Sequence, residues 1–282
     1  MLVETAIGDA YGMGFEYADG NLPLNTLEAY VKHPTHGLRP GQYTDDTQMT
    51  IAVAEALIEH LPFSREVLMR KFYDVFARDR RDGYSRAFQK LLETAKNGDE
   101  LLALVRPDSD KSGGAMRAGP VGILPDPKQV VETAELQASV THDTEDGRAA
   151  AAAAALMTHY FIYDEGPKVD LGNYLNLYAP VCSVRSWDEP WTGKVLGKGW
   201  MPVRAAITSI KAHDSLSSIL RACIAFSGDV DTVGAIAMSA ASCSKEIQKD
   251  LPEKLFWTLE GGKYGREFLA ELDSKLFALK SK

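Results

Sequence analysis

The sequence predicts an all-α protein. Apolar residues recur at helical spacing along most of the chain, and no convincing run alternates as a strand would. Capping residues and prolines punctuate the same segments: Pro62, Pro107, Pro127, Pro202 and Pro252 fall between them or in first turns. No tandem repeat and no linker-like stretch divides the 282 residues. We read residues 1–282 as one domain, a compact orthogonal bundle of helices around a binuclear metal cleft.

The first helix carries Gly8-Asp9-Ala10-Tyr11-Gly12-Met13-Gly14-Phe15-Glu16. Its three glycines weaken it by about 1 kcal/mol each relative to alanine, a cost that close packing on another backbone or a ligand would justify. Met49, Ala52, Val53, Ala56 and Leu57 make a second helix between Asp45 and His60, with Asp45 and Gln48 spaced as a capping box. Ser64 caps a third, which carries Val67, Leu68, Phe72, Val75 and Phe76 and ends near Arg80. A fourth runs from about Tyr84 to Lys96 and stops at Asn97-Gly98. Further helices are expected near 128–138, 145–163, 203–212, 215–226, 231–243 and 264–280. The stretch 164–199 is the least regular, and reads as a loop-rich excursion near the site or the surface.

Composition narrows the partners. At 45% hydrophobic and 25% charged residues the chain can bury a sizeable core. A formal charge of −8 favours neither nucleic acid nor an anionic membrane surface, which leaves only a local basic pocket for phosphate. Cys182, Cys223 and Cys243 are odd in number and far apart, as expected of buried reduced thiols in a cytoplasmic protein. No signal-peptide pattern opens the sequence, and the apolar run from Ala149 to His159 falls short of the roughly 20 residues of a membrane span.

Two acidic strings stand where helices begin: Tyr43-Thr44-Asp45-Asp46-Thr47-Gln48-Met49 and Ser227-Gly228-Asp229-Val230-Asp231-Thr232-Val233. Together they offer four carboxylates and at least two threonine hydroxyls, a donor set suited to hard divalent cations such as Mg²⁺ or Mn²⁺. Helix capping is the alternative for Thr44-Asp45-Asp46, since acidic residues in a first turn suit the helix dipole. Asp229 and Asp231 can face one ion only if Asp229 sits in a turn before the helix, with Gly228 supplying the backbone freedom. If the strings meet, four negative charges balance two dications. Glu16 is a candidate general base for an activated water, against the plainer reading of a solvated glutamate at a helix end.

The string Lys111-Ser112-Gly113-Gly114-Ala115-Met116-Arg117-Ala118-Gly119-Pro120 can present backbone N–H groups to phosphate, although it lacks the ending of a Walker loop and an ordinary loop would look the same. His142, in Thr141-His142-Asp143-Thr144, reads from its surroundings alone as a structural or exposed histidine. No Cys/His set reads as zinc, no nucleophile elbow is present, and the terminal glutamate of an EF-hand loop is missing.

These five strings, in this order from about Thr5 to Ala241, resemble the ADP-ribosylglycohydrolase family. The resemblance implies an all-α single domain with two Mg²⁺ or Mn²⁺ ions in a cleft. It implies Thr44, Asp45, Asp46, Asp229, Asp231 and Thr232 as metal ligands, and a catalytic set of Glu16, Asp45 and Asp46. It implies Ser112, Gly113, Gly114 and Ala115 as the loop on the pyrophosphate or distal ribose, and His142 as a residue lining the ligand cleft. Ser112 stands where the family often has asparagine, and Val230 where it has threonine, so acceptor preference is the property most open to change.

The implied activity is metal-dependent hydrolysis of the bond between ADP-ribose and an acceptor, either a modified protein side chain or a related conjugate. The implied protein works as a monomer, with nucleic acid only as an ADP-ribosylated acceptor and no membrane partner. Two other readings stand beside it. One is a non-catalytic ADP-ribose- or partner-binding protein on the same scaffold. The other is a His-Asp-type metal phosphohydrolase, which needs histidine ligands that His33, His36, His60, His159 and His213 do not supply in any matching motif.

Overall fold

The computed structural model describes residues 1–281, and all the regular structure in that range is helical. Extended pairing among the described residues is limited to the isolated bridges Asp108–His142, Val195–Gly228 and Ser215–Gln248. Helix α1 (Leu2–Met13) ends at Gly14, so Glu16 lies in the turn that follows. Helix α2 (Asp45–Ile58) is capped by Thr44, whose hydroxyl accepts from the amide of Asp46. The expected Asp45–Gln48 capping box is not formed. The Gln48 side chain is buried, where its oxygen accepts from the Tyr84 hydroxyl and its amide donates to the carbonyl of Asp79.

Ser64 caps α3 (Arg65–Arg78) as its sequence position indicates. The fourth helix corrects the expected boundary. α4 spans Arg86–Thr94, and Asn97 does not stop it but caps a further short helix, α5 (Gly98–Leu104), by accepting from the amide of Glu100. Asparagine serves either end of a helix, and sequence alone did not separate the two uses. The turn α6 (Gly113–Met116) is followed by α7 (Pro127–Ser139), with Pro127 in its first turn, and by α8 (Glu145–Tyr163), capped by Thr144. The irregular stretch 164–199 contains a short 3-10 helix (Lys168–Asp170) and one α-helix, α9 (Leu171–Tyr178). Then come α10 (Trp200–Ala212), α11 (Leu216–Ala225), α12 (Val230–Ala241), α13 (Glu253–Thr258) and α14 (Arg266–Phe277).

Ala149 to Ala155 are all buried, so α8 is an interior helix whose small side chains let neighbours approach from every side. No helix among the described residues is long and apolar enough to cross a membrane. The buried apolar side chains form one contiguous cluster that draws on nearly every helix. Cys223 lies inside it, while Cys182 and Cys243 are half-buried.

The crossing of α1 and α12 places the site. A Cβ on Gly8 would fall on the carbonyl oxygen of Gly234, one on Gly234 would come within 2.6 Å of the Gly8 oxygen, and one on Gly12 would overlap the backbone of Asp231. The two backbones therefore touch, which no side chain larger than hydrogen permits. This contact accounts for Gly8 and Gly12, while Gly14 packs on the Val31 carbonyl, and it carries the start of α12 to the end of α1.

Candidate metal centre and its cleft

At the start of α12 the chain turns through left-handed backbone at Ser227 (φ 64°) and Gly228 (φ 92°). Asp229 then precedes the helix and Asp231 stands in its first turn. Residues 194–196 run beside this turn: Val195 donates to the Ser227 carbonyl at 3.0 Å and accepts from the Asp229 amide at 3.1 Å. A Cβ on Gly228 would overlap the Val195 carbonyl, so glycine is required there on two counts. The loop-rich excursion thus reaches the acidic string and braces it.

The start of α2 is held from α1. Asp9, fully buried, accepts the Thr44 amide (2.9 Å to Oδ2), the Thr44 hydroxyl (2.8 Å), the Thr47 amide (3.0 Å) and the Thr47 hydroxyl (2.6 Å). From the other side, Tyr43 donates its amide to Glu260 (3.1 Å) and its hydroxyl to the Tyr264 carbonyl (2.8 Å). Arg81 lies over the Tyr43 ring at 3.6 Å and pairs with both Glu260 and Asp79. Gly83 (φ 121°) presses on Asp45: a Cβ there would stand 2.5 Å from Oδ1.

Glu16 is positioned by its main chain. Its carbonyl accepts from His33 Nε2 at 2.8 Å. His33 Nδ1 accepts the amides of Thr35 (3.1 Å) and His36 (2.9 Å), which fixes the imidazole hydrogen on Nε2. The next residue, Tyr17 (φ 47°), donates its amide to the Gly228 carbonyl at 2.9 Å. The turn carrying Glu16 is thereby tied to the turn carrying Asp229. The outer oxygen of Glu16 lies 3.9 Å from His36 Nε2.

The acids converge. Glu16, Asp229 and Asp231 each offer a carboxylate oxygen within 4.8 Å of the others, and no histidine or cysteine belongs to that group. Asp46 Oδ1 is buried with no hydrogen-bond partner. Among the described residues, none of Asp9, Asp45, Asp46, Asp229 and Asp231 pairs with a lysine or arginine. Burial first, then the neighbouring acids, push Asp45, Asp46 and Asp231 well above the carboxylate range. Burial, then Asp229 and Asp9, push Glu16 up to about 7. Burial also raises Asp229, against the pull of the Thr232 and Ser112 hydroxyls. Uncompensated buried carboxylates are costly. A partnerless buried oxygen amid converging hard donors fits divalent cations, which remove that cost.

A cleft of about 630 Å³ opens from this cluster. Glu16, Asp45, Asp46, Asp229, Asp231 and Thr232 line its acidic end. Ser112, Gly113 and His142 also line it, together with the apolar or aromatic residues Tyr84, Phe88, Leu91, Leu104 and Val105. The amides of Gly113 and Gly114 have no partner among the described residues, whereas those of Ala115 and Met116 bond back to the Ser112 carbonyl. Gly114 and Ala115 are buried behind the lining. Burial first, then Arg117, pushes His142 down to about 3, so the ring is neutral at physiological pH.

Five of the six expected metal ligands, Asp45, Asp46, Asp229, Asp231 and Thr232, line the cleft, whereas Thr44 does not and its hydroxyl hydrogen is committed to Asp9. Sequence reasoning separated Glu16 from the metal set, whereas its carboxylate lies among those of Asp229 and Asp231. It assigned nothing to Asp9, Arg81, Glu260 or His33. Only Asp9 carried a signal, as a carboxylate one residue after a glycine inside an otherwise apolar helix. The neighbour of His142, Asp143, turns away to pair with Arg148 and Arg65, and so forms no His-Asp metal pair.

Comparison with known proteins agrees with this architecture. The family model described as ADP-ribosylglycohydrolase matches residues 1–281. The chain is similar to an uncharacterized protein of Archaeoglobus fulgidus, 27% identical over 297 residues that cover 97% of this chain and 93% of that one. It is also similar to ADP-ribosylhydrolase ARH3 of Xenopus tropicalis, 27% identical over 175 residues, 58% of this chain and 50% of that protein's length. A solved chain titled ADP-ribosylglycohydrolase-related protein complex superposes with a TM-score of 0.77 at 21% identity, covering 99% of this chain and 96% of that one, and so shares the fold.

Proposed function

The chain belongs to the ADP-ribosylglycohydrolase family, and from that premise we propose that it hydrolyses the glycosidic bond between ADP-ribose and an acceptor, either a modified protein side chain or a related ADP-ribose conjugate. One observation carries the reading: carboxylates without a cationic partner converge in a cleft lined by both polar and apolar residues. Two divalent cations, Mg²⁺ or Mn²⁺, fit the donors of Thr44, Asp45, Asp46, Asp229, Asp231 and Thr232, with Glu16 close enough to join them. Bound there, such cations supply Lewis acidity and a template for ribose hydroxyls.

The chain's own residues do the rest. Glu16 takes the proton from the attacking water. The surrounding carboxylates favour the positive charge that builds on the ribose as the bond breaks. Ser112 and the free amide of Gly113 hold phosphate oxygens. The apolar lining residues exclude water from the bound ligand. We further propose that the protein works as a monomer of one domain in the cytoplasm.

The test is release of ADP-ribose from arginine-linked, serine-linked and nucleotide-linked conjugates, assayed with Mg²⁺ and with Mn²⁺. Turnover of at least one conjugate that stops on chelation is expected. No release from any of them with either ion would reject the reading. Glu16→Gln should then slow turnover more than it weakens ADP-ribose binding.

A further inference from the structure

The inference rests on the proposed reading of the cleft as an ADP-ribose site. We infer that Arg117 and Thr141 hold His142 as a neutral imidazole with its hydrogen on Nε2, so that His142 offers the ligand a donor and never an acceptor. Arg117 is buried in the lining of the cleft, its guanidinium 4.3 Å from the centre of the Phe72 ring. Guanidinium groups only donate. Nε donates to Gln137 Oε1 (2.7 Å), and Nη2 to the Gln137 carbonyl (2.9 Å) and to Thr141 Oγ1 (2.9 Å). Gln137 Nε2 donates to the Gly114 carbonyl at 2.7 Å, which orients the amide with its oxygen toward the arginine.

Thr141 Oγ1 therefore accepts from Arg117 and has one hydrogen of its own to place. Its other neighbour is His142 Nδ1, at 2.7 Å, and no other acceptor for that hydrogen stands within reach among the described residues. With the hydrogen on Nδ1 instead, the imidazole would donate to an oxygen already accepting, and a buried hydroxyl hydrogen would be orphaned. The relay runs Arg117 to Thr141 to His142 Nδ1, which leaves Nε2–H as the free edge of the ring. That edge faces Gly113, where a Cβ would stand 2.8 Å from Cε1 and 3.1 Å from Nε2. Glycine keeps the N–H open to the cleft.

The ligand atom at this point is an acceptor, a phosphate or ribose oxygen of ADP-ribose. An ammonium or amide N–H group in the same place is rejected. Arg117 and Thr141 are positioning residues that act through His142.

The full-length protein, ¹⁵N-labelled, is examined near neutral pH by long-range ¹H–¹⁵N spectra of the imidazoles, with His142 assigned by its loss in His142→Gln. The Nε2-protonated pattern is expected. An Nδ1-protonated or doubly protonated pattern overturns the inference, whatever the enzyme assay gives. Calorimetry with ADP-ribose forms the second arm. Thr141→Ser keeps the wild-type affinity, and Thr141→Val weakens it about tenfold, as one buried hydrogen bond would, with His142 shifting to a tautomer mixture. Unchanged affinity and tautomer in Thr141→Val overturn the relay. If that variant does not fold, the wild-type spectrum decides alone. An intact Nε2–H spectrum in a protein that binds no ADP-ribose upholds the relay and counts against the proposed function.

Discussion

Thr47 reaches across 38 residues of sequence to donate both its hydroxyl, at 2.6 Å, and its amide, at 3.0 Å, to Asp9 Oδ2. The acid that caps α2 therefore belongs to α1, and Thr44 repeats the pattern on the same carboxylate. Asp9→Ala leaves four buried donors without an acceptor and should cost about 3–4 kcal/mol, read by urea unfolding. Asp9→Asn keeps one accepting oxygen and should lose about half as much. A cost below about 1 kcal/mol for the alanine variant would remove Asp9 from this role.

Asp231→Asn should show opposite signs with and without metal. In chelator-treated protein it removes one of several mutually repelling buried acids, so the variant should melt no lower than the wild type. With millimolar Mn²⁺ or Mg²⁺ the order reverses, because only the wild type gains binding energy in the folded state. Thermal shifts under both conditions check this, and calorimetry should show lost metal binding.

The raised pKa of Glu16 sets a pH dependence. Its folded value of about 7 exceeds the unfolded carboxylate value, so the metal-free native state holds a proton that the unfolded chain has released. The Glu16 contribution to the stability of the metal-free protein should fall as pH rises from about 4.5 to 7, by at most about 1.4 kcal/mol per unit, an effect read as the difference between the wild type and Glu16→Gln. Divalent cations favour the ionised form, so metal uptake should release protons, and apparent affinity should rise with pH up to about 7 and then level off. Calorimetry in buffers of different ionisation enthalpy measures the proton release. His142, held near 3, works in the other direction and favours the folded state as pH rises from about 3 to 6.5.

His33→Ala should lower turnover while leaving the fold and ADP-ribose binding nearly unchanged. The imidazole holds the Glu16 carbonyl and two amides of the following turn, so its loss frees the segment that aims the carboxylate. We expect a decrease in kcat of about tenfold with KM altered less than about threefold, measured by steady-state release of ADP-ribose. A change confined to KM would place His33 in ligand binding instead.

The helices with strong periodicity were legible in the sequence: α8 was expected at its observed bounds, and α7, α11 and α12 within one or two residues of theirs. A turn before α12 was expected from Gly228, but the left-handed backbone at Ser227 carried no sequence signal. The short helices α5, α9 and α13 were missed because six to eight residues give too little periodicity to separate a helix from a loop. The acids of the cluster could be named from their strings. The residues that hold them could not, because Asp9 to Thr47, Arg81 to Glu260 and His33 to Glu16 are contacts that exist only once the chain has folded.

Glu260 carries none of the proposed chemistry, yet it holds the Tyr43 amide and the Arg81 guanidinium together. A polypeptide cut after α12 would retain every candidate ligand, the glycine loop and His142, and would pass any inventory of motifs. It would still lack the clamp on the segment leading into Asp45 and Asp46. Searches for a minimal working fragment should therefore set their limit by the last brace on the first acidic string, well beyond the last residue that touches the cleft.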